Sequence, residues 1–132
     1  MAVNLIDSDD ISVVQSGNDI TLNQKFKNIY STSEVKIGKW INNKPIYRKV
    51  IQSTTPSSNS PTSIGSISNM DLVINIYGSI VTSTQNILVN FVYNTEQNSC
   101  YRENNNIILR VTASSYQEKT CYIVVEYTKT TD

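Results

Sequence analysis

The sequence predicts an all-β fold, and three observations carry the prediction. Ile (17) and Val (12) far outnumber Leu (5) and Ala (2). Branching at Cβ restricts χ1 in a helix but packs well on a pleated sheet. Ser, Thr and Asn together supply 46 of the 132 residues, and such side chains compete with helical backbone hydrogen bonds while suiting turns and exposed strand faces. Apolar residues also alternate with a period of two in the second half of the chain, clearest from Asp71 to Thr82. A chain of this length is expected to form one core-bearing domain.

Each element follows from local pattern. Ile11 to Val14 and Gly17 to Leu22 read as two short strands joined through Gln15 to Asp19. Residues 1–28 are therefore expected to be separable from a domain of residues 29–132. Glu34 to Ile41 and Lys44 to Gln52 read as a hairpin with a two-residue Asn42-Asn43 turn, since Asn tolerates positive φ. That register sets Trp40 opposite Pro45 and Gly38 opposite Tyr47, with Trp40 and Tyr47 on one face and Tyr47 covering the bare glycine. Val35, Ile37, Ile46 and Val50, with the stems of Lys39 and Arg48, occupy the other. Both faces are partly apolar, so Trp40, Tyr47 and Arg48 are candidates for a subunit interface. A hairpin whose Trp belongs to its own core fits equally.

Ser53 to Ser68 is rich in Ser, Thr and Pro and reads as a long exposed loop with a short strand at Ser63 to Ser68. Strands are expected at Asp71 to Thr82, Asn86 to Tyr93, Ile107 to Ala113 and Thr120 to Thr128, separated by loops at Asn94 to Asn106 and Ser114 to Lys119. About eight strands at this spacing predict an antiparallel two-sheet sandwich, jelly-roll-like in winding.

The residues that perform chemistry are scarce. The chain has no His, which removes Ser-His-Asp and Cys-His catalysis and the commonest general base. Four glycines form no phosphate-cradling loop. Asp7, Asp9 and Asp10 lack the later Gly and Glu of a calcium loop and read as a solvated turn. Cys100 and Cys121 fit no zinc spacing and read as buried reduced thiols, with a disulfide between neighbouring strands as the alternative. Glu96, Glu103 and Glu118 are the carboxylates from which a glycosidase pair could come, but nothing sets them apart from loop charges. No enzyme, metal or cofactor is expected.

Eleven basic residues balance eleven acidic ones, so no field draws nucleic acid. No run approaches the about 18 apolar residues that would span a bilayer, and no signal peptide is expected. Binding has better candidates: Tyr101, Arg102, Asn104 and Tyr116 are placed in loops and are of the kind that stack on sugars and bond their hydroxyls.

Two segments resemble a known family. Tyr30-Ser31-Thr32 and Glu34, followed by Gly38, Trp40 and Lys44-Pro45-Ile46-Tyr47-Arg48-Lys49, are similar to a signature of tailed-bacteriophage and prophage virion proteins, found near the carboxyl end of fibre or adsorption proteins. The ending Tyr122 to Asp132, with Glu126-Tyr127-Thr128-Lys129-Thr130-Thr131-Asp132, resembles their close, and Asn69 to Gly78 their middle strand. Asn42-Asn43 stands where Asp-Gly is commoner. The resemblance implies a non-enzymatic, homotrimeric virion component, assembled in the host cytoplasm and displayed on a fibre, tail or capsid for attachment to the host. Other virion proteins, docked through the amino-terminal segment, and host cell-surface polysaccharide are the expected partners. A decoration protein without host binding and a carbohydrate-binding module are the alternative readings.

Overall fold

The computed structural model describes residues 12–15, 18–21 and 28–132; the acidic run Asp7 to Asp10 lies outside them. The fold is all-β with antiparallel pairing throughout the described residues. β1 (Ser12–Gln15) and β2 (Asn18–Thr21) form the expected amino-terminal hairpin, a two-stranded sheet that pairs with no other strand.

The remaining strands make two sheets. β3 (Val35–Lys39), β4 (Pro45–Thr54), β6 (Met70–Val81), β7 (Asn86–Leu88) and β11 (Thr120–Lys129) form a five-stranded sheet in the order β3-β4-β11-β6-β7. β5 (Thr62–Ser66), β8 (Phe91–Tyr93), β9 (Glu96–Glu103) and β10 (Asn106–Val111) form a four-stranded sheet in the order β5-β10-β9-β8. Side chains from both merge in one core: Ile51, Ile80, Cys121, Ile123, Val125 and Tyr127 from the larger sheet, and Cys100, Ile107, Leu109 and Val111 from the smaller.

β11 sits at the centre. Its residues Cys121, Ile123, Val125 and Tyr127 are fully buried on the core side, while Val124 and Thr128 are buried on the other side. β6 lies against it with Gly78 opposite Ile123. A Cβ on Gly78 would meet the Tyr122 carbonyl oxygen at 2.0 Å, and φ is +157°, so only glycine lets the strands approach this closely.

Asparagine makes the turns in this glycine-poor chain. Of six non-glycine residues with positive φ among the described residues, five are Asn: Asn43, Asn69, Asn90, Asn94 and Asn104. Its short amide side chain tolerates the left-handed region better than other non-glycine residues.

Four sequence expectations change. The β3–β4 connection is a three-residue loop, because Asn43 takes φ 65° and its N–H bonds Trp40 O at 2.9 Å while Trp40 N–H bonds Lys44 O at 2.8 Å. Asn42 Oδ1 accepts from Lys44 N–H and fixes the loop. The extra residue, with an irregularity between Lys36 and Gly38, sets Lys39 against Pro45, Gly38 against Ile46 and Lys36 against Tyr47. Trp40 and Tyr47 thus stand on opposite sides of the hairpin, and nothing lies within 4 Å of a Cβ on Gly38.

The expected strand Asn86 to Tyr93 is two strands, β7 and β8, which belong to different sheets. Asn90 makes the corner at φ 65°. Its Nδ2 donates to Ile76 O in β6 at 3.2 Å, and its Oδ1 accepts from Cys100 N–H in β9 at 2.9 Å. One amide therefore ties the two sheets together.

The expected loop Asn94 to Asn106 is mostly β9. It lacks apolar alternation, yet Asn98 and Cys100 point inward and are buried. The two-residue Asn-Asn turn occurs here, at Asn104-Asn105 between the paired Glu103 and Asn106. Cys100 and Cys121 are free thiols on strands of different sheets, and burial pushes them up to about 12 and about 11.

Asn90→Ala should lower stability by about 2–4 kcal/mol, since it loses two hydrogen bonds and strains a positive φ. Asn90→Gly should cost less, because it keeps the backbone at ease. Urea unfolding decides the point, and an Asn90→Ala protein within about 0.5 kcal/mol of the parent would remove the corner role.

Candidate functional site

The two segments that carry the family resemblance lie on adjoining strands and lock together. Arg48 of β4, 8% exposed, pairs with Glu126 of β11: its Nε and Nη2 donate to Glu126 Oε1 at 3.1 and 2.9 Å. Arg48 Nη1 donates to Asn28 Oδ1 and Ile29 O, and the Tyr30 ring covers the guanidinium at 4.4 Å. Tyr77 of β6 donates to the same Glu126 oxygen at 2.9 Å. Burial, with the hydrogen bonds to Tyr30 and Glu126, raises the Tyr77 hydroxyl well above the usual phenol range, so it stays a donor.

A second lock lies toward the end of β11. The Glu34 carboxylate accepts from Tyr127 OH and from Lys129 Nζ. Lys129 also sits 4.4 Å over the Tyr47 ring, which packs against Tyr127 at a centroid distance of 6.1 Å. Lys44 Nζ bonds Asp71 at 2.6 Å and Lys129 O at 3.0 Å. Glu34, Lys44, Tyr47, Arg48, Glu126, Tyr127 and Lys129 of the resembling segments therefore bond one another. The candidate interface residues Tyr47 and Arg48 make these contacts within their own chain, and Trp40 is half-buried beside the hairpin turn. Asn28 closes the Arg48 lock.

The four candidate ligand residues are not brought together. Tyr101 is exposed on β9. Arg102 is committed to backbone, donating to Asn104 O at 2.6 Å, Asp71 O, and Met70 O at 2.8 Å. Asn104 is the turn residue between β9 and β10. Tyr116 belongs to a short 3-10 turn (Ser114–Tyr116) at the opposite end of those strands, about 20 Å away by the rise of β10. Glu96 and Glu103 terminate β9 at its two ends, and Glu118 lies with Tyr116 at the end away from Glu103. Neither Glu96–Glu103 nor Glu103–Glu118 thus has the roughly 5–10 Å carboxylate spacing that glycoside hydrolysis needs. Among the described residues no group of three or more His, Cys, Asp or Glu could hold a metal.

Tyr116 does line a cleft. With Thr82, Ser83, Thr84, Gln85, Ser115 and Lys119 it bounds about 390 Å³ where the β6–β7 turn meets the loop before β11. Both walls are fixed. Thr82 Oγ1 accepts from Gln85 N–H at 3.0 Å and donates to Gln85 O, while Thr55 Oγ1 donates to Tyr116 O at 2.7 Å and accepts from Lys119 N–H at 2.9 Å. The Ser83, Thr84 and Ser115 hydroxyls, the Gln85 amide and the Lys119 ammonium are left to face the cleft. An aromatic ring beside hydroxyls, an amide and one cation can hold a polyhydroxylated, acidic group. The sequence pointed to Tyr116, but Thr82 to Gln85 comes from a turn 30 residues earlier, which no local pattern connects to it.

In comparisons with known proteins, no protein family, curated protein or solved structure matches this chain.

Breaking the buried ion pair should be costly. Arg48→Met or Glu126→Gln alone leaves a buried partner uncompensated and should destabilise by about 3–5 kcal/mol, whereas replacing both with apolar residues should restore part of the loss. A double-mutant cycle by urea unfolding measures this.

The Glu34 lock gives a pH signature. Burial opposes the Glu34 charge, but the hydrogen bonds from Lys129 and Tyr127 outweigh it and lower its pKa, while the hydrogen bond to Glu34 raises that of Lys129. The Glu34 contribution is therefore present above the ordinary carboxylate value and fades as acid passes through the lower folded value. The Lys129 contribution is present below the ordinary lysine value and fades only in alkali, as pH rises through its raised value. Glu34→Gln should flatten the acid limb of a melting-temperature profile against pH; an unchanged limb would contradict the lock.

Proposed function

We propose that this chain is a non-enzymatic virion protein of a tailed bacteriophage or prophage: a two-sheet β-sandwich head, jelly-roll-like and homotrimeric, displayed on a short head or tail fibre and attaching the particle to the host surface. Residues 1–28 dock it to other virion proteins or join its copies. The site that meets the host is the Tyr116–Lys119 cleft, and its ligand class is an acidic surface polysaccharide.

The observation that carries this reading is the division of labour between the two regions. The residues that resemble the phage signature are consumed in holding β3, β4, β6 and β11 together, through Arg48–Glu126 and Glu34–Lys129. They support a scaffold. The cleft at Tyr116 instead is lined by hydroxyl, amide and ammonium groups with no side-chain partner among the described residues.

A second reading has an observation of its own. Leu88 and Tyr122 are exposed in one row across the outer face of the five-stranded sheet, with Val81 in the next row. Tyr122 and Val81 border an open groove of about 390 Å³ that Tyr77, Ser79, Asn86 and Val124 also line. Such an apolar face suits a decoration protein that lies flat on a capsid or tail.

The test is binding of the full chain to a panel of bacterial surface polysaccharides. The attachment reading expects binding that falls about tenfold in each of Tyr116→Ala and Lys119→Ala, the loss of roughly 1.4 kcal/mol that one stacking or charged contact represents. It also expects no release of reducing ends. Absence of binding, with the chain present at fixed stoichiometry on particles that lose stability without it, would establish the decoration reading instead.

A further inference from the structure

The chain carries an unpaired strand edge and an unpaired hairpin, and the two fit. Along β4 the N–H of Val50 points away from β11 and bonds Ser31 O at 2.8 Å. Antiparallel strands alternate the direction of their backbone groups, so Gln52 and Thr54 also point theirs away from β11. β3 covers β4 only from Pro45 to Arg48. From Ile51 to Thr54 the outer edge of β4 has no neighbouring strand among the described residues.

This open edge lines a groove. Its about 560 Å³ are bounded by Lys49 to Thr54, by Gly65 and Ser66 of β5, and by Thr32 and Thr120. β5 is itself the edge of its sheet, so two free edges frame the groove. Neither Lys nor Pro lies between Ile51 and Thr54, so the charges and rings that usually blunt an edge strand are missing there.

The hairpin β1–β2 has the opposite need. Each strand is four residues long, matching Ile51 to Thr54 in length, and among the described residues each pairs only with the other. An isolated two-stranded hairpin is marginal in water. Within the described residues the chain leads away from the groove: from Ser31 beside Val50, residues Tyr30, Ile29 and Asn28 turn over the guanidinium of Arg48 on the sheet's outer face.

We propose that the β1–β2 hairpin of one copy adds to the Ile51–Thr54 edge of a second copy, so that main-chain hydrogen bonds at Gln52 and Thr54 join the subunits. This deepens the reading of residues 1–28 as an oligomerisation segment and rests on it. It names the acceptor on the partner copy and requires no particular number of subunits, since a heterologous contact of this kind builds a ring or a chain.

The test uses two full-length variants. Gln52→Pro removes an edge N–H where proline is tolerated, disabling the acceptor but leaving the hairpin. Val14→Pro disables the hairpin but leaves the acceptor. Sedimentation equilibrium should show the parent as an oligomer, each variant alone as a smaller species, and an equimolar mixture recovering a two-chain complex through the one intact contact. Amide exchange at Gln52 and Thr54 should slow by about tenfold or more as the parent assembles. Melting curves confirm that the variants fold; Thr54→Lys, which places a charge in the groove, replaces Gln52→Pro if that variant does not.

A parent that is monomeric at every concentration overturns both the proposal and the oligomerisation reading. An oligomer lost in Val14→Pro but unchanged in Gln52→Pro and Thr54→Lys overturns the edge alone and leaves the amino-terminal segment as the joining element. An oligomer unchanged in Val14→Pro overturns the hairpin as donor. Concentration-independent protection of Gln52 and Thr54 in a monomer would show the hairpin folded onto its own edge.

Discussion

The placement of β11 governs the rest of the structure. The last strand of the chain lies between β4 and β6 and is buried on both sides over much of its length. Its core-side residues Cys121, Ile123, Val125 and Tyr127 supply the floor on which the four-stranded sheet packs. Burying four such side chains is worth on the order of several kcal/mol, a large share of the net stability of a domain this size. The five-stranded sheet cannot close until the ten residues of β11 are in place, because β4 and β6 each pair with β11 and not with each other.

That central position explains why the second side of β11 is polar where it is. A strand at the middle of a sheet can bury its outer residues only if something covers them, and residues 28–30 do so over Arg48 and Glu126. A buried ion pair stabilises little relative to apolar packing, yet it is costly to break. Here five groups from four chain segments converge: Asn28 and Tyr30, Arg48, Tyr77 and Glu126. Such a network accepts one register of β4 on β11 and penalises a slip by one residue, which would turn Arg48 into the apolar core. Specificity of register is its contribution, more than net stability. The same reasoning separates scaffold from surface, since groups already bonded within the sheet have little left with which to recognise a ligand.

The all-β class was legible in composition, because β-branched residues and turn-forming polar residues act locally on every segment. The long strands were legible too: β4, β6 and β11 are all near their expected places, since apolar side chains recur along them. β9 was not. Glu96 to Glu103 is polar apart from Cys100 and Tyr101, and its strand character comes from pairing with β8 and β10, with Asn98 and Cys100 turned into the core by that pairing. The break at Asn90 was hidden for a related reason. Ile87, Val89, Phe91 and Tyr93 continue a period of two, and no local signal says that the chain leaves one sheet for the other at that residue.

What the sequence determined by itself is the fold class, the course of the longer strands, and the preference for Asn at turns, each a matter of local sterics and side-chain period. Tertiary structure decided which Asn makes which turn. The dipeptide at Asn42-Asn43 became part of a three-residue loop, while Asn104-Asn105 took the two-residue turn, because neighbouring strands impose the register. Tertiary structure also decided the fate of the candidate site: Arg102 was drawn into three backbone carbonyls, and Tyr116 was left facing a cleft whose other wall lies 30 residues away in the chain. Such assignments depend on which distant groups become neighbours, and a hydrogen-bonding side chain spends its capacity on whatever the fold brings within reach.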